Sequence, residues 1–336
     1  MSTPLISVQD LSVEIKTDRG LLKAIRGVSF DVNAGDSIGI VGESGSGKSI
    51  TLKAILGLLP TNAHVSAGKI LIEGKDVSLL DHKSRRALLS HNTGMIFQDA
   101  MAALNPVIKV GHQVSEVPRH RLGKSKDESK QIALSLMERV GITDVESRYD
   151  LFPHQLSGGL RQRISIAIAL SGSPKILFCD EPTTALDVTI QAQVLRLLNE
   201  FRHNSGLGIV FVTHDLAVVN ELCDEIKVMY AGRFVESGKV QDTFKVPTHP
   251  YTFSLLKAAP DPDAAVHRLF TISGEAPNLT KPVEGCPFAP RCFAVVAQCL
   301  TAEPNLAVIE NSQSACFKSA DHGKWNSAES GSGVIR

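Results

Sequence analysis

The sequence predicts an α/β fold with a mixed sheet, an antiparallel β subdomain, an α-helical subdomain and a small C-terminal domain carrying cysteines. Three observations predict it. The short apolar runs 37–41, 175–179 and 208–213 each lead into a turn and a helical stretch, the βα alternation of a parallel sheet. Residues about 99–172 read mainly as helix, with amphipathic stretches at 129–140 and 159–170. After Gly238 the pattern changes: Pro becomes frequent from Pro247 to Pro304 and cysteines cluster, which places a boundary near residue 240.

Taken in order, residues 6–15 and 28–32 alternate apolar and polar side chains and read as strands of a half-exposed sheet. Asn33-Ala-Gly-Asp36 is a turn, and 37–41 is a strand running into a Gly-rich loop. Residues 48–59 read as a helix that Pro60 helps to stop. Residues 69–73 form a further strand. Residues 225–230, Ala231-Gly232 and 233–236 read as a hairpin. The expected division is 1–240, 241–318 and a small, polar tail, 319–336, expected to be mobile.

A chain of 336 residues is ample for a buried core, and its length suggests two domains. Lys plus Arg and Asp plus Glu each number 35, so a zero net charge makes no broad claim on nucleic acid. The N-terminus lacks the charged and apolar regions of a signal peptide. No apolar run approaches the ~18 residues of a spanning helix. The protein is expected to be soluble and cytosolic, with any membrane role exercised through a partner.

Gly42-Glu-Ser-Gly-Ser-Gly-Lys-Ser49 fits the phosphate-loop pattern between a predicted strand and helix. Its glycines let successive N–H groups face one concavity, and the helix that follows adds its positive end. The candidate ATP contacts are Gly42, Ser44, Gly45, Ser46, Gly47, Lys48, Ser49 and Ile50. Lys48 is expected at the β- and γ-phosphates and Ser49 on Mg²⁺. A Gly-rich turn with a chance Lys-Ser is the bland alternative, which the strand–loop–helix context disfavours. The run Ile176-Leu-Phe-Cys-Asp180 delivers Asp180, followed by Glu181, to the sheet's C-terminal edge. Asp180 is expected to hold Mg²⁺ through water. Glu181 is expected to act as general base, a role worth ~10²- to 10⁴-fold in rate. His214 follows the strand 208–213 and is expected near the γ-phosphate.

Between these motifs, Leu156-Ser-Gly-Gly-Leu-Arg-Gln-Arg163 resembles the signature of ATP-binding-cassette (ABC) ATPases, a family with a P-loop NTPase core. Gln98, after the apolar run 95–97, is similar to the family's Q-loop glutamine, and Thr184-Ala-Leu-Asp187 to its D-loop. The resemblance covers residues 5–240. It implies that Ser157, Gly158 and Gly159 cover the ATP of a facing cassette in a head-to-tail dimer, because a helix N-terminus is a ready anion site. It also implies Gln98 as a further ligand of Mg²⁺ and part of the catalytic set with Glu181 and His214.

Gln98-Asp-Ala-Met-Ala-Ala-Leu-Asn-Pro106, His249-Pro-Tyr-Thr252 and Cys286-Pro-Phe-Ala-Pro-Arg-Cys292 resemble the ATPase subunits of bacterial dipeptide and oligopeptide importers, a subfamily shared with nickel importers. The implied partners are a second ATPase subunit, two membrane permeases and, indirectly, an external solute-binding protein. Residues 98–118 are the implied docking surface, and the implied location is the cytoplasmic face of the bacterial membrane. One departure concerns the adenine, which many cassettes stack on an aromatic residue upstream of the phosphate loop. Here no aromatic precedes Phe30, which lies inside a strand, and Ile15 or Leu22 stands in that region. Ala100 and Leu160 also depart from the commoner family residues.

Cys179 and Cys223 stand alone and read as ordinary buried residues. Cys286, Cys292, Cys299 and Cys316 are separated by five, six and sixteen residues. Such a cluster in a cytosolic chain suggests metal rather than disulfides. Four thiolates suit Zn²⁺ or a 4Fe–4S cluster, and the resemblance favours the cluster. Four reduced structural thiols are the bland alternative. A rival function, a soluble ABC ATPase acting in DNA repair or on ribosomes, is disfavoured by the single cassette, the absence of heptads and the zero net charge.

Overall fold

The computed structural model describes residues 3–99, 103–183, 187–259 and 271–325. The strands, in chain order, are β1 (Ile6–Thr17), β2 (Gly20–Val32), β3 (Ser37–Val41), β4 (Ala63–Ile72), β5 (Lys75–Asp76), β6 (Thr93–Ile96), β7 (Ile176–Asp180), β8 (Gly208–Thr213), β9 (Glu225–Tyr230), β10 (Arg233–Lys239), β11 (Ala307–Ile309) and β12 (Ser312–Ser314). The chain divides into two compact units.

One unit comprises Met1–Ser7, Asp31–Ser37 and Ile70–Val212. In it β6, β7 and β8 pair in parallel. Thr93 of β6 lies opposite Ile176 of β7, and Ile176 lies opposite Gly208 of β8. Every residue of β7 and β8 is buried, which is why both read as unbroken apolar runs. Burying each large apolar side chain there contributes about 1.5–3 kcal/mol. Between β6 and β7 the chain forms helices Val110–Arg121, Lys126–Arg139, Val145–Tyr149 and Gly158–Ser171, in the stretch expected to be helical. Ser125 and Glu128 close a capping box at the start of Lys126–Arg139, satisfying two N–H groups that the helix cannot. Helix Val188–Ser205 starts on the Asp187 carboxylate and stops at Gly206, which is left-handed.

The other unit comprises Val8–Phe30, Ile38–Lys69 and Thr213–Arg336. Here β9 pairs parallel with β3 on one side and antiparallel with β10 on the other, so the sheet is mixed. The expected hairpin is β9–β10, with a bulge between Phe234 and Glu236. β12 then pairs antiparallel with β10, and β11 with β12. The segment after residue 240 thus adds two short strands that sequence patterning missed. β2, β1 and β4 are hydrogen-bonded neighbours in that order.

Of three local outcomes, the helix stop and the C-terminus differ from expectation, and Phe30 inside its strand agrees with it. The helix after the phosphate loop spans Lys48–Ile55 and ends before Pro60. Gly57 is left-handed, its N–H donates to Ala54 O, and Leu58 N–H reaches back to Lys53 O, so glycine makes the stop. Phe30 is buried edge-on against Phe234, with ring centroids 6.0 Å apart, and is no base-stacking surface. At the C-terminus, Ser319–Lys324 form a 3₁₀ turn, and Trp325 is buried against Phe253 and Phe293. Residues 326–336 lie outside the described residues, as do Ala100 and the D-loop positions 184–186.

Candidate functional site

The phosphate loop follows β3 directly. Gly42, Gly45 and Gly47 all have positive φ, at 155°, 79° and 113°. A Cβ on Gly42 would stand 2.2 Å from Met229 O, and one on Gly47 would stand 2.7 Å from Ile25 Cδ1, so both positions require glycine. The Lys48 ammonium lies over the loop, donating to Gly42 O at 2.7 Å and Glu43 O at 3.0 Å. Ser46 Oγ is buried without a hydrogen-bond partner among the described residues. Ser49 and Ile50 follow in the first turn of the helix, half-buried. A loop of this form suits a polyphosphate: N–H groups, a helix start and one cation face an anion, and the Ser46 hydroxyl gains a partner. His214 follows β8 and is exposed, just before Asp215, which caps helix Leu216–Leu222.

In the unit that holds β7, Asp180 ends the strand and is 4% exposed. Glu181 comes next with φ +46°, a left-handed conformation costly for a side chain with Cβ and concentrated at functional sites. Its N–H is held by Val212 O at 2.9 Å. Its carboxylate accepts from Gln98 Nε2 at 3.3 Å, so the structure brings these two predicted residues together. Ser157 caps helix Gly158–Ser171, its Oγ accepting from Leu160 N. Ser157 and Gly158 are exposed, and a Cβ on Gly159 would meet nothing within 4 Å. The positive end of a fourteen-residue helix is therefore open, with no acidic residue in its first turn.

The four C-terminal cysteines gather in one region. Cys286 N–H donates to Cys299 O at 2.8 Å. The Cys292 thiol feels Cys316, Cys286 and Cys299, and the Cys316 thiol feels Cys286 and Cys299. Burial, helped by these neighbours, pushes Cys292 up to about 12 and Cys316 up to about 11, and raises Cys286. Thiols so raised stay protonated unless a cation replaces the proton. Even so, among the described residues no three His, Cys, Asp or Glu side chains are arranged as metal ligands.

Sequence reasoning missed three residues. Gln162, inside the signature helix, donates to Pro182 O, one residue after Glu181. Arg291 and Tyr251 both contact Glu43 in the phosphate loop. The motifs containing the last two were visible in the sequence, but nothing in their pattern named their partner.

The comparisons with known proteins agree with this geometry. Residues 25–184 match the ABC transporter family model, and residues 235–299 match the oligopeptide/dipeptide transporter C-terminal region. The chain is 43% identical over 314 residues to the oligopeptide transport ATP-binding protein OppD of Salmonella typhimurium, covering 94% of this chain and 93% of that one. It is 42% identical to the protein of the same name in Escherichia coli strain K12, with the same coverage. Among solved structures it is similar to a dimeric bacterial ABC transporter cassette, with a TM-score of 0.64 and 26% identity over 70% of this chain and 98% of that one. A second match is the dimeric post-hydrolysis state of an ATP-binding cassette bound to ADP and Pi, with a TM-score of 0.63, 26% identity and the same coverage.

Proposed function

Because this chain belongs to the ABC transporter ATP-binding family, we propose that it is the ATP-hydrolysing subunit that powers import of dipeptides or oligopeptides across a bacterial cytoplasmic membrane. The observation that carries the reading is the open N-terminus of helix Gly158–Ser171 in a chain that already owns a phosphate loop. Two anion-binding ends in one chain suit a head-to-tail dimer, in which each signature covers the other subunit's ATP. In this reading Lys48 neutralises the β- and γ-phosphates, and Ser49, Gln98 and Asp180 hold Mg²⁺. Glu181, steadied by Gln98, takes the proton of the attacking water, and His214 attends the γ-phosphate. The facing cassette is a paralogue or a second copy.

The docking partners are two permeases, received at residues 98–118. Phe97, Val107 and Ile108 in and beside that stretch are exposed at 38%, 77% and 36%, apolar surface of the kind a partner covers. Among the described residues no helix is long and apolar enough to cross a membrane. A peripheral place on the cytoplasmic face, held by the permeases and fed by an external solute-binding protein, fits that. Residues 1–240 form the ATPase domain in this reading and 241–318 an oligopeptide-transporter-type domain, in keeping with the matched ranges.

The four cysteines hold a 4Fe–4S cluster, with zinc the alternative. Support comes from the gathering of the four thiols and from burial that disfavours free thiolates. Anaerobic purification with iron and sulfide assay tests it, and stoichiometric zinc without iron would sink the cluster. The transport reading is tested by reconstituting the chain with its permeases and partner ATPase in liposomes. Peptide uptake should require ATP and should stop with Lys48→Ala. Hydrolysis indifferent to permeases and peptide would overturn it.

A further inference from the structure

His249-Pro-Tyr-Thr252 and the residues between Cys286 and Cys292, which have no part in the proposed function, converge on one residue of the phosphate loop. That residue is Glu43, the only acidic side chain between Gly42 and Ser49. The Arg291 guanidinium grips its carboxylate in a bidentate pair, Nη1–Oε2 at 2.6 Å and Nη2–Oε1 at 2.8 Å. The arginine side chain is 5% exposed and the glutamate side chain 31%. The remaining donors of the fork are used as well. Nε reaches Ser273 O, Nη2 reaches Ile272 O, and Nη1 reaches Tyr230 Oη. No lysine could reproduce that set, because an ammonium is a point charge without a planar fork.

Tyr251 holds the same residue by its backbone. Its Oη accepts from Glu43 N–H at 2.8 Å, and the ring is fully buried. Tyr230, Tyr251 and Phe288 form a floor of three rings, with centroids 4.6, 5.2 and 5.3 Å apart. Phe288 comes from the cysteine-bearing segment, three residues before Arg291. The loop's other anchors are the Met229 carbonyl against Gly42 and the Gly232 N–H to Ser46 O. All of these residues lie in one compact unit.

We propose that Arg291 and Tyr251 are positioning residues that act on ATP through Glu43: Arg291 neutralises the Glu43 carboxylate, which would otherwise repel the phosphates, and Tyr251 holds the Glu43 backbone in the first turn of the phosphate loop. The electrostatic logic is separate from packing. A carboxylate carried on a loop that must seat a polyphosphate repels it. The Arg291 pair neutralises that charge and fixes its direction. Through Arg291, which adjoins Cys292, the order of the cysteine-bearing segment governs the nucleotide affinity of the loop. The inference rests on the reading that this loop binds ATP.

The test is a titration of the full-length protein with Mg²⁺ and the non-hydrolysable analogue adenylyl imidodiphosphate, followed by calorimetry. Arg291→Met should weaken binding about tenfold or more, the worth of a charged hydrogen-bonded pair. Glu43→Gln alone should weaken binding less than Arg291→Met does, since an amide carries no charge to repel the phosphates. Glu43→Gln combined with Arg291→Met should recover most of the lost affinity, because the unpaired carboxylate is gone. A purely structural role predicts no such rescue. Tyr251→Phe should weaken binding several-fold at unchanged circular dichroism. Wild-type affinity in Arg291→Met, or a double variant no tighter than Arg291→Met, overturns the proposal. Should Arg291→Met fail to fold, Arg291→Lys and Tyr251→Phe decide, and unchanged affinity in both overturns it. A wild-type protein that binds no nucleotide would instead refute the ATP reading, and this inference with it.

Discussion

Gln162 donates its side-chain amide to the carbonyl oxygen of Pro182 at 2.7 Å, in a site where Gln162 is 5% exposed. The bond joins the second turn of the signature helix to the chain one residue past Glu181. Glu181 is itself held in a left-handed conformation. The helix that is proposed to cover a facing ATP and the proposed general base are therefore braced by one buried contact.

Gln162→Leu keeps the approximate volume but leaves the Pro182 carbonyl buried without its donor. The expected cost is about 1–3 kcal/mol of stability. Steady-state phosphate release should fall more than nucleotide affinity does, because the phosphate loop is untouched. Urea unfolding and a KM-against-kcat comparison check both halves. Equal losses in affinity and turnover would reject the brace.

Glu181→Gln removes the base and keeps an acceptor for Gln98. Turnover should fall at least about 100-fold, the range for a positioned proton acceptor. Affinity for Mg²⁺ and ATP should stay within about threefold, since a neutral isostere leaves the loop's cation and N–H donors in place. Single-turnover phosphate release beside a binding titration measures the two separately. Undiminished hydrolysis would refute the assigned role.

What the sequence disclosed follows from where the information sits. β7 and β8 were legible because burial on both faces demands unbroken apolar runs. The phosphate loop was legible because its glycine spacing answers a backbone requirement that no other residue meets. β11 and β12 were not legible: Ala-Val-Ile and Ser-Gln-Ser are too short to show a period and exist because β12 pairs onto β10 and β11 onto β12. The helix stop at Gly57 was hidden by the stronger-looking Pro60, though the left-handed turn comes first. Arg291 could not be assigned a partner because Glu43 lies 248 residues away in sequence. Long-range charge pairing leaves no local pattern.

Acid should weaken the fold through His249. This residue is 1% exposed, and its Nδ1 accepts from Tyr251 N at 3.0 Å, capping helix Pro250–Ala258. Burial pushes its pKa down to about 3, partly offset by its backbone contact with Ala315. Below pH 6.5 the unfolded chain binds a proton that the native state refuses. Stability contributed by neutral His249 is therefore present above that pH and lost as pH falls, by up to about 1.4 kcal/mol per unit. Buried Glu236, which accepts from His249 N–H, acts in the opposite sense, because burial raises its pKa and its contribution is lost as pH rises. Subtraction isolates the histidine. His249→Asn keeps a capping side chain without the titration. Urea unfolding at pH 7.5 and 5.5 should show a larger acid loss in the wild type than in the variant. Equal losses would reject the assignment.

Trp325 gives the C-terminal segment its own optical reporter, since it is the only tryptophan in the chain. It is 3% exposed and stands edge-on to Phe253 at 5.9 Å and Phe293 at 6.0 Å, which are themselves 5.6 Å apart. Phe253 lies on helix Pro250–Ala258 and Phe293 directly follows Cys292. The three rings thus tie the helix, the cysteine-bearing segment and the last 3₁₀ turn together. Native emission should be blue-shifted. Trp325→Ala should cost about 3–5 kcal/mol, the range for deleting a large buried aromatic. Because β12 pairs with β10 inside the same compact unit as the phosphate loop, the segment should unfold with that unit. Trp325 emission should then shift red at the same urea concentration at which Arg291→Met and wild-type protein each lose affinity for the ATP analogue. A tryptophan transition completed while nucleotide binding is still at full strength would show that the segment melts alone and supports nothing in the loop.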